Sequence, residues 1–177
     1  MTELNKYTLK EFIELEEEEK ALYKAFGLRL TGNSCCRPSD ILEWPWGEIK
    51  QIQDIINQDS LKYDDMIEIL CIASQNDRDK ILGLSWVKCF ELYNFITSGI
   101  KRINELEQQL RYEPSARESS AGIDQYNDFG WFCTLDRLAG GDLLKYDDIG
   151  KMPFHLVFAK LKLNNLDAEF NRRINKI

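Results

Sequence analysis

From Trp86 to Leu110 the large apolar residues recur at intervals of three or four: Trp86, Phe90, Tyr93, Ile96, Ile100, Ile103, Leu106 and Leu110. At about 3.6 residues per turn these positions share one face, and Lys88, Glu91, Asn94, Lys101, Glu105 and Gln108 fall on the other. The segment predicts an amphipathic helix of about seven turns, roughly 40 Å long. Such a stripe has to be covered by other apolar surfaces. The length also fits a helix shared with a neighbouring subunit or domain.

The rest of the chain carries the same period. Thr8-Leu9-Lys10-Glu11 has the form of a capping box, followed by Leu9, Phe12, Ile13 and Leu15. The run Glu16-Glu17-Glu18-Glu19 continues this helix as a solvated face, and the helix is expected to end near Phe26-Gly27. Leu30 to Asp40 reads as a loop. Pro45 fits the first turn of a second helix carrying Trp46, Ile49, Ile52 and Ile56. Asp59-Ser60 is expected to cap a third, with Tyr63, Met66, Ile67, Leu70 and Ala73, interrupted at Gln75-Asn76-Asp77. Beyond an aromatic stretch at Tyr126, Phe129, Trp131 and Phe132, Thr134 is expected to cap a short helix ending at Gly140-Gly141. Asp142 caps the next, Pro153 opens a helix with Phe154, Val157, Phe158 and Leu161, and a last one carries Leu166, Phe170, Ile174 and Ile177. No segment alternates with period two, so the expected fold class is all-α, with five to seven helices. The expected organisation is a helical domain over 1–112, a linker or mobile loop over 113–125, and a C-terminal helical segment over 126–177 packed on the first.

Composition narrows the function. The 177 residues suit one domain, and 44% hydrophobic content is enough for a core. A net charge of −7 and a pI near 4.9 disfavour a general grip on phosphates, so no sequence-specific nucleic-acid binding is expected. No run approaches the roughly 20 apolar residues that span a bilayer. Met1-Thr2-Glu3-Leu4-Asn5-Lys6 lacks the layout of a signal peptide, so synthesis and residence in the cytoplasm, or in an assembly joined there, are expected.

Signatures of chemistry are lacking. The five cysteines include Cys71 and Cys89 within apolar helical patterns, an adjacent Cys35-Cys36, and Cys133, with no C-x-x-C. His155 is the single histidine, without ligand-like neighbours, so neither a zinc site nor a nucleophile–base pair is indicated. Asp64-Asp65 and Asp147-Asp148 are adjacent on helices and point about 100° apart, which prevents a dyad. Gly140-Gly141-Asp142 lacks both phosphate-loop and dinucleotide spacing. Catalytic residues, metal ligands and cofactors are all expected to be absent.

Two echoes link the halves. Leu61-Lys62-Tyr63-Asp64-Asp65-Met66 recurs as Leu144-Lys145-Tyr146-Asp147-Asp148-Ile149. Asp40-Ile41, Pro45-Trp46 and Ile49 match Asp148-Ile149, Pro153-Phe154 and Val157 at a different, constant offset. Shared helix-start grammar accounts for either. Within the Pro-centred units, Trp44, Trp46, Met152 and Phe154 are interface candidates, because Trp, Phe and Met are enriched in interface cores; the competing reading is a hydrophobic staple at each helix start. Arg172 and Arg173 are added as charged candidates, though they also complement the helix dipole.

The string from Phe129-Gly130-Trp131-Phe132-Cys133-Thr134 through Leu138-Ala139-Gly140-Gly141-Asp142 to Tyr146-Asp147-Asp148-Ile149 resembles small proteins of phages and prophages of gut Bacteroidetes. Met152-Pro153-Phe154, Val157-Phe158, Lys160-Leu161 and Glu169-Phe170-Asn171-Arg172-Arg173 belong to the same resemblance. It implies a product of the virion-structure gene cluster of crAss-like phages. The expected function is a non-enzymatic subunit of a head–tail connector ring below the portal, homo-oligomeric and in contact with portal or tail proteins at the head–tail interface of the virion. The alternatives are a soluble tail-assembly chaperone or adaptor left out of the particle, and a small enzyme using carboxylates and a metal.

Overall fold

The computed structural model describes residues 7–21, 40–58, 60–110 and 119–174. These form α1 (Leu9–Ile13), α2 (Trp46–Ile56), α3 (Tyr63–Ser74), α4 (Arg78–Leu82), α5 (Trp86–Gln108), α6 (Phe132–Ala139), α7 (Tyr146–Gly150) and α8 (Phe154–Ile174). Tighter 3-10 turns occupy Ile41–Glu43, Ile123–Phe129 and Leu143–Lys145, and residues 17–21 are also helical. The described residues contain no strand, and the fold is all-α. The helices are more numerous than the five to seven expected.

Local chemistry explains most of the differences. The Thr8 capping box is present: Thr8 N–H donates to Glu11 Oε2 at 2.8 Å and Glu11 N–H to Thr8 Oγ1 at 3.3 Å. The Thr8 N–H, and then the Thr8 hydroxyl donating to the same Glu11 Oε2 at 2.9 Å, hold the Glu11 carboxyl below its ordinary pKa. The helix stops at Ile13 rather than near Phe26. A continuous helix would stack Glu14 against Glu17 and Glu18 at i,i+3 and i,i+4, which is repulsive. Its expected end, the Leu30–Asp40 loop up to residue 39, and Cys35-Cys36 lie outside the described residues. Gln75 turns left-handed at φ 55° and ends α3, and Asp77 then caps α4, which sequence alone did not reveal. The backbone amide held by a side chain at the start of α3 is that of Lys62, bound by Asp65 at 2.7 Å. Thr134 lies inside α6, whose cap position is Trp131. The two helices expected after Pro153 are one, because Asn164-Asn165 contains neither Gly nor Pro to stop it.

The chain forms two compact units that are not sequential. Unit 1 comprises Met1–Ile41 and Gln51–Lys101; unit 2 comprises Leu42–Lys50 and Arg102–Ile177. Of the linker expected at 113–125, residues 113–118 lie outside the described part.

Each unit is closed by the same device. In unit 2, Trp46 N–H donates to Met152 C=O at 2.8 Å and Phe154 N–H to Trp44 C=O at 2.9 Å, pairing Pro45 with Pro153. In unit 1, Leu9 N–H donates to Leu84 C=O at 2.7 Å and Trp86 N–H to Tyr7 C=O at 3.3 Å, pairing Thr8 with Ser85. All four donors are first-turn amides that a helix leaves without a partner. The paired residue itself contributes no N–H to the exchange, so proline fits there without losing a bond.

Burial repeats along with the hydrogen bonds. The residues one and four places after each paired position are buried: Leu9 and Phe12, Trp86 and Cys89, Trp46 and Ile49, Phe154 and Val157. Four places before, Ile81, Ile41 and Ile149 are buried too. In unit 1 the result is an aromatic cluster, with Phe12 stacked on Trp86 at 4.6 Å and both set edge-on to Phe90. Burial pushes the Cys89 thiol up to about 12, which makes it an inert core residue. In unit 2, Lys50 Nζ donates to Glu107 Oε1 at 2.6 Å, and Asn165 Nδ2 donates to Leu110 C=O at 3.1 Å.

Unit 1 also contains a close approach that depends on glycine. A methyl group on Gly99 of α5 would lie 2.7 Å from Ile41 Cδ1 and 2.9 Å from its Cγ2. Alanine is the better helix former by about 1 kcal/mol, but overpacking costs about 1–3 kcal/mol. Gly99→Ala is therefore expected to destabilise the protein in urea unfolding. Combined with Ile41→Ala, the same change should cost at least about 0.5 kcal/mol less, because the new methyl enters vacated space. Strict additivity would show that the two residues do not meet.

Candidate functional site

Among the described residues, no three His, Cys, Asp or Glu side chains converge to hold a metal ion, and no helix is long and apolar enough to cross a membrane. His155 Nδ1 lies 3.0 Å from Leu42 C=O, a contact that fastens the start of α8. What unit 2 does present is apolar surface: besides Leu143, Leu144 and Met152, it lies in two places.

The first is a groove of about 640 Å³, built by the 3-10 turn Ile123–Phe129, α6 and α7. Its wall is anchored in the core. Trp46, buried, meets the edge of Trp131 at 5.5 Å, and Trp131 stacks on Phe132 at 4.4 Å. Phe132 opens into the groove with 53% of its surface exposed, beside Tyr126 at 64% and Phe129 at 65%. Gly140 and Gly141 also line it, at φ 67° and 76°. A side chain on either would meet no atom within 4 Å, so it is the left-handed backbone that requires glycine, and the missing side chains leave the groove open. That backbone ends α6 with Gly141 N–H donating to Asp136 C=O at 3.0 Å.

The polar groups of the groove include Asp136, Arg137 and the Tyr146 hydroxyl, with the Tyr126 hydroxyl and the Cys133 thiol, which donates to Tyr126 C=O at 3.4 Å. Tyr146 donates to Asp136 Oδ1 at 2.6 Å, and this hydrogen bond raises the phenol above its ordinary pKa. The arrangement offers stacking faces and a few fixed polar atoms, which suits recognition of apolar side chains.

The second place is α8. Phe154 and Val157 are buried and Phe158, Leu161 and Asn165 half-buried on one side. Leu156, Leu163, Leu166, Phe170 and Ile174 follow at intervals of seven, three, four and four on the opposite side, each 51% to 63% exposed. Covering a half-exposed Leu or Phe returns on the order of 1 kcal/mol, so the uncovered stripe represents several kcal/mol of association energy.

The expected interface residues divide. Trp44, Trp46 and Phe154 are each 1% exposed and belong to the core of unit 2, because the Pro45–Pro153 pairing turns them inward. Met152 is exposed at the same pairing. Arg172 and Arg173 are exposed on α8, where Arg172 Nε donates to Ala168 C=O and Arg173 lies 3.4 Å from Glu169. Not picked out as surface were Tyr126, Phe129, Phe132 and Tyr146. Their signal was the density of aromatic residues in a stretch rich in Asp and Gly, with no helical stripe to bury them.

Because the Tyr146 phenol is weaker as an acid in the folded than in the unfolded chain, its bond to Asp136 contributes fully below about pH 10 and is lost as pH rises through the raised value. The ultraviolet difference titration between wild type and Tyr146→Phe should therefore have its midpoint above 10.0, and Asp136→Asn should bring it back down. A midpoint at or below 10.0 in the wild type would argue against the bond. Comparison with protein-family models, curated proteins and solved structures finds no match for the chain.

Proposed function

We propose that this chain is a structural protein without enzymatic activity, working through protein–protein contacts as a subunit of a phage head–tail connector ring at the head–tail interface of the virion. The observation that carries the interaction role is the apolar surface of unit 2: an aromatic groove and a helix stripe together leave eight large side chains more than half exposed. Exposed apolar surface on this scale marks contact sites. The resemblance of Phe129 to Ile177 to phage proteins implies a product of the virion-structure gene cluster, which fits a connector ring as well as a tail-assembly chaperone, and the Tyr126–Ile174 surface lies almost entirely within that stretch.

A tail-assembly chaperone is the second reading, favoured by the openness of the groove, which suits transient capture of an apolar client segment. Proteomic quantification of purified virions separates the two. The connector reading expects the chain in mature particles at a fixed ring-like ratio to the portal protein, and the chaperone reading expects it in infected-cell lysate but not in particles. Absence from both particles and assembly complexes would end the proposal.

A further inference from the structure

We infer that the outer face of α8 from one copy docks into the aromatic groove of a second copy, so that the chain assembles head to tail. This rests on the assembly-subunit reading above and names the contact that builds the assembly. Both surfaces belong to unit 2, and they differ in form: the groove is concave and lined by flat rings, whereas α8 presents a ridge of Leu and Phe side chains. The stripe from Leu156 to Ile174 is about 27 Å long at 1.5 Å per residue, and an amphipathic helix laid in an apolar groove is a recurrent docking mode.

Charge selects the pairing. The groove lining itself holds one charge of each sign, Asp136 and Arg137, but the segment around it, residues 119 to 151, has six aspartates against Arg137, Lys145 and Lys151. Between residues 154 and 174, α8 has Lys160, Lys162, Arg172 and Arg173 against Asp167 and Glu169. Groove against groove, or α8 against α8, brings like excess charge together, whereas groove against α8 brings opposite excess together. A reciprocal exchange of α8 between two copies would fill both grooves and stop at a dimer; passed in one direction only, the contact is heterologous. Every copy that donates its α8 keeps an open groove, and growth continues until the rotation per subunit closes a ring.

Phe132→Glu disables the groove and Phe170→Glu disables the ridge; both positions are more than half exposed. Circular dichroism melting verifies folding, and Phe129→Glu and Leu166→Glu serve as second variants of each class. By native mass spectrometry and sedimentation, the wild type should form species larger than a dimer, and these should weaken as salt rises. Each variant alone should be monomeric. Mixing a groove variant with a ridge variant should give a one-to-one dimer and nothing larger, since each contributes its remaining intact surface. A wild type that is monomeric or stops at a dimer overturns the inference, as does a mixture that stays monomeric. Self-assembly without presence in virions would remove the connector reading and leave this contact standing; presence in virions without self-assembly would do the reverse.

Discussion

Two backbone hydrogen bonds between Trp44-Pro45-Trp46 and Met152-Pro153-Phe154 join segments from opposite halves of the chain and determine what unit 2 can be. They give partners to the first amides of α2 and α8, which a buried helix start cannot leave empty at a cost of about 1–3 kcal/mol each. They also turn Trp46 and Phe154 inward, and from buried Trp46 the ring contacts run through Trp131 to Phe132 at the groove. The aromatic wall of the surface is thus held by the same pairing that closes the core.

The repetition of this device in unit 1, with Thr8 and Ser85 where unit 2 has two prolines, shows what the position demands. It does not demand proline. It demands a residue whose own N–H is not needed, followed by large or medium apolar side chains one and four places on. Thr8 adds a cap to α1, and proline fixes the backbone without one. The constant-offset echo between Pro45 and Pro153 is therefore physical. Its matched residues occupy equivalent places on two helices that meet at their starts.

Much of the helical content was legible because helices announce themselves locally. Thr8 with Glu11 and Asp142 before Leu144 are caps formed within a few residues, and the stripe from Trp86 to Ile103 is a period carried along one helix. The merging of α8 across Asn164-Asn165 and the break after Ile13 were less legible, since each turns on the absence or conflict of signals rather than on a stop residue. The candidate site was the least legible part. Trp44 and Trp46 carry the composition of an interface and are core, while Phe129 and Phe132 have the composition of a core and are surface.

The sequence by itself determined the all-α class, the starts of several helices and the lack of any motif for metal or nucleophilic chemistry, because period, capping and ligand spacing are properties of neighbours along the chain. Tertiary structure decided which apolar residues are covered. α8 is apolar on two opposite faces, and nothing in its spacing says which of them packs. The choice follows from the Pro45–Pro153 pairing and from the Asn165 bond to Leu110, which draw one face inward and leave Leu163, Leu166 and Phe170 outside. Burial is a relation between segments distant in sequence, and only the folded chain supplies it.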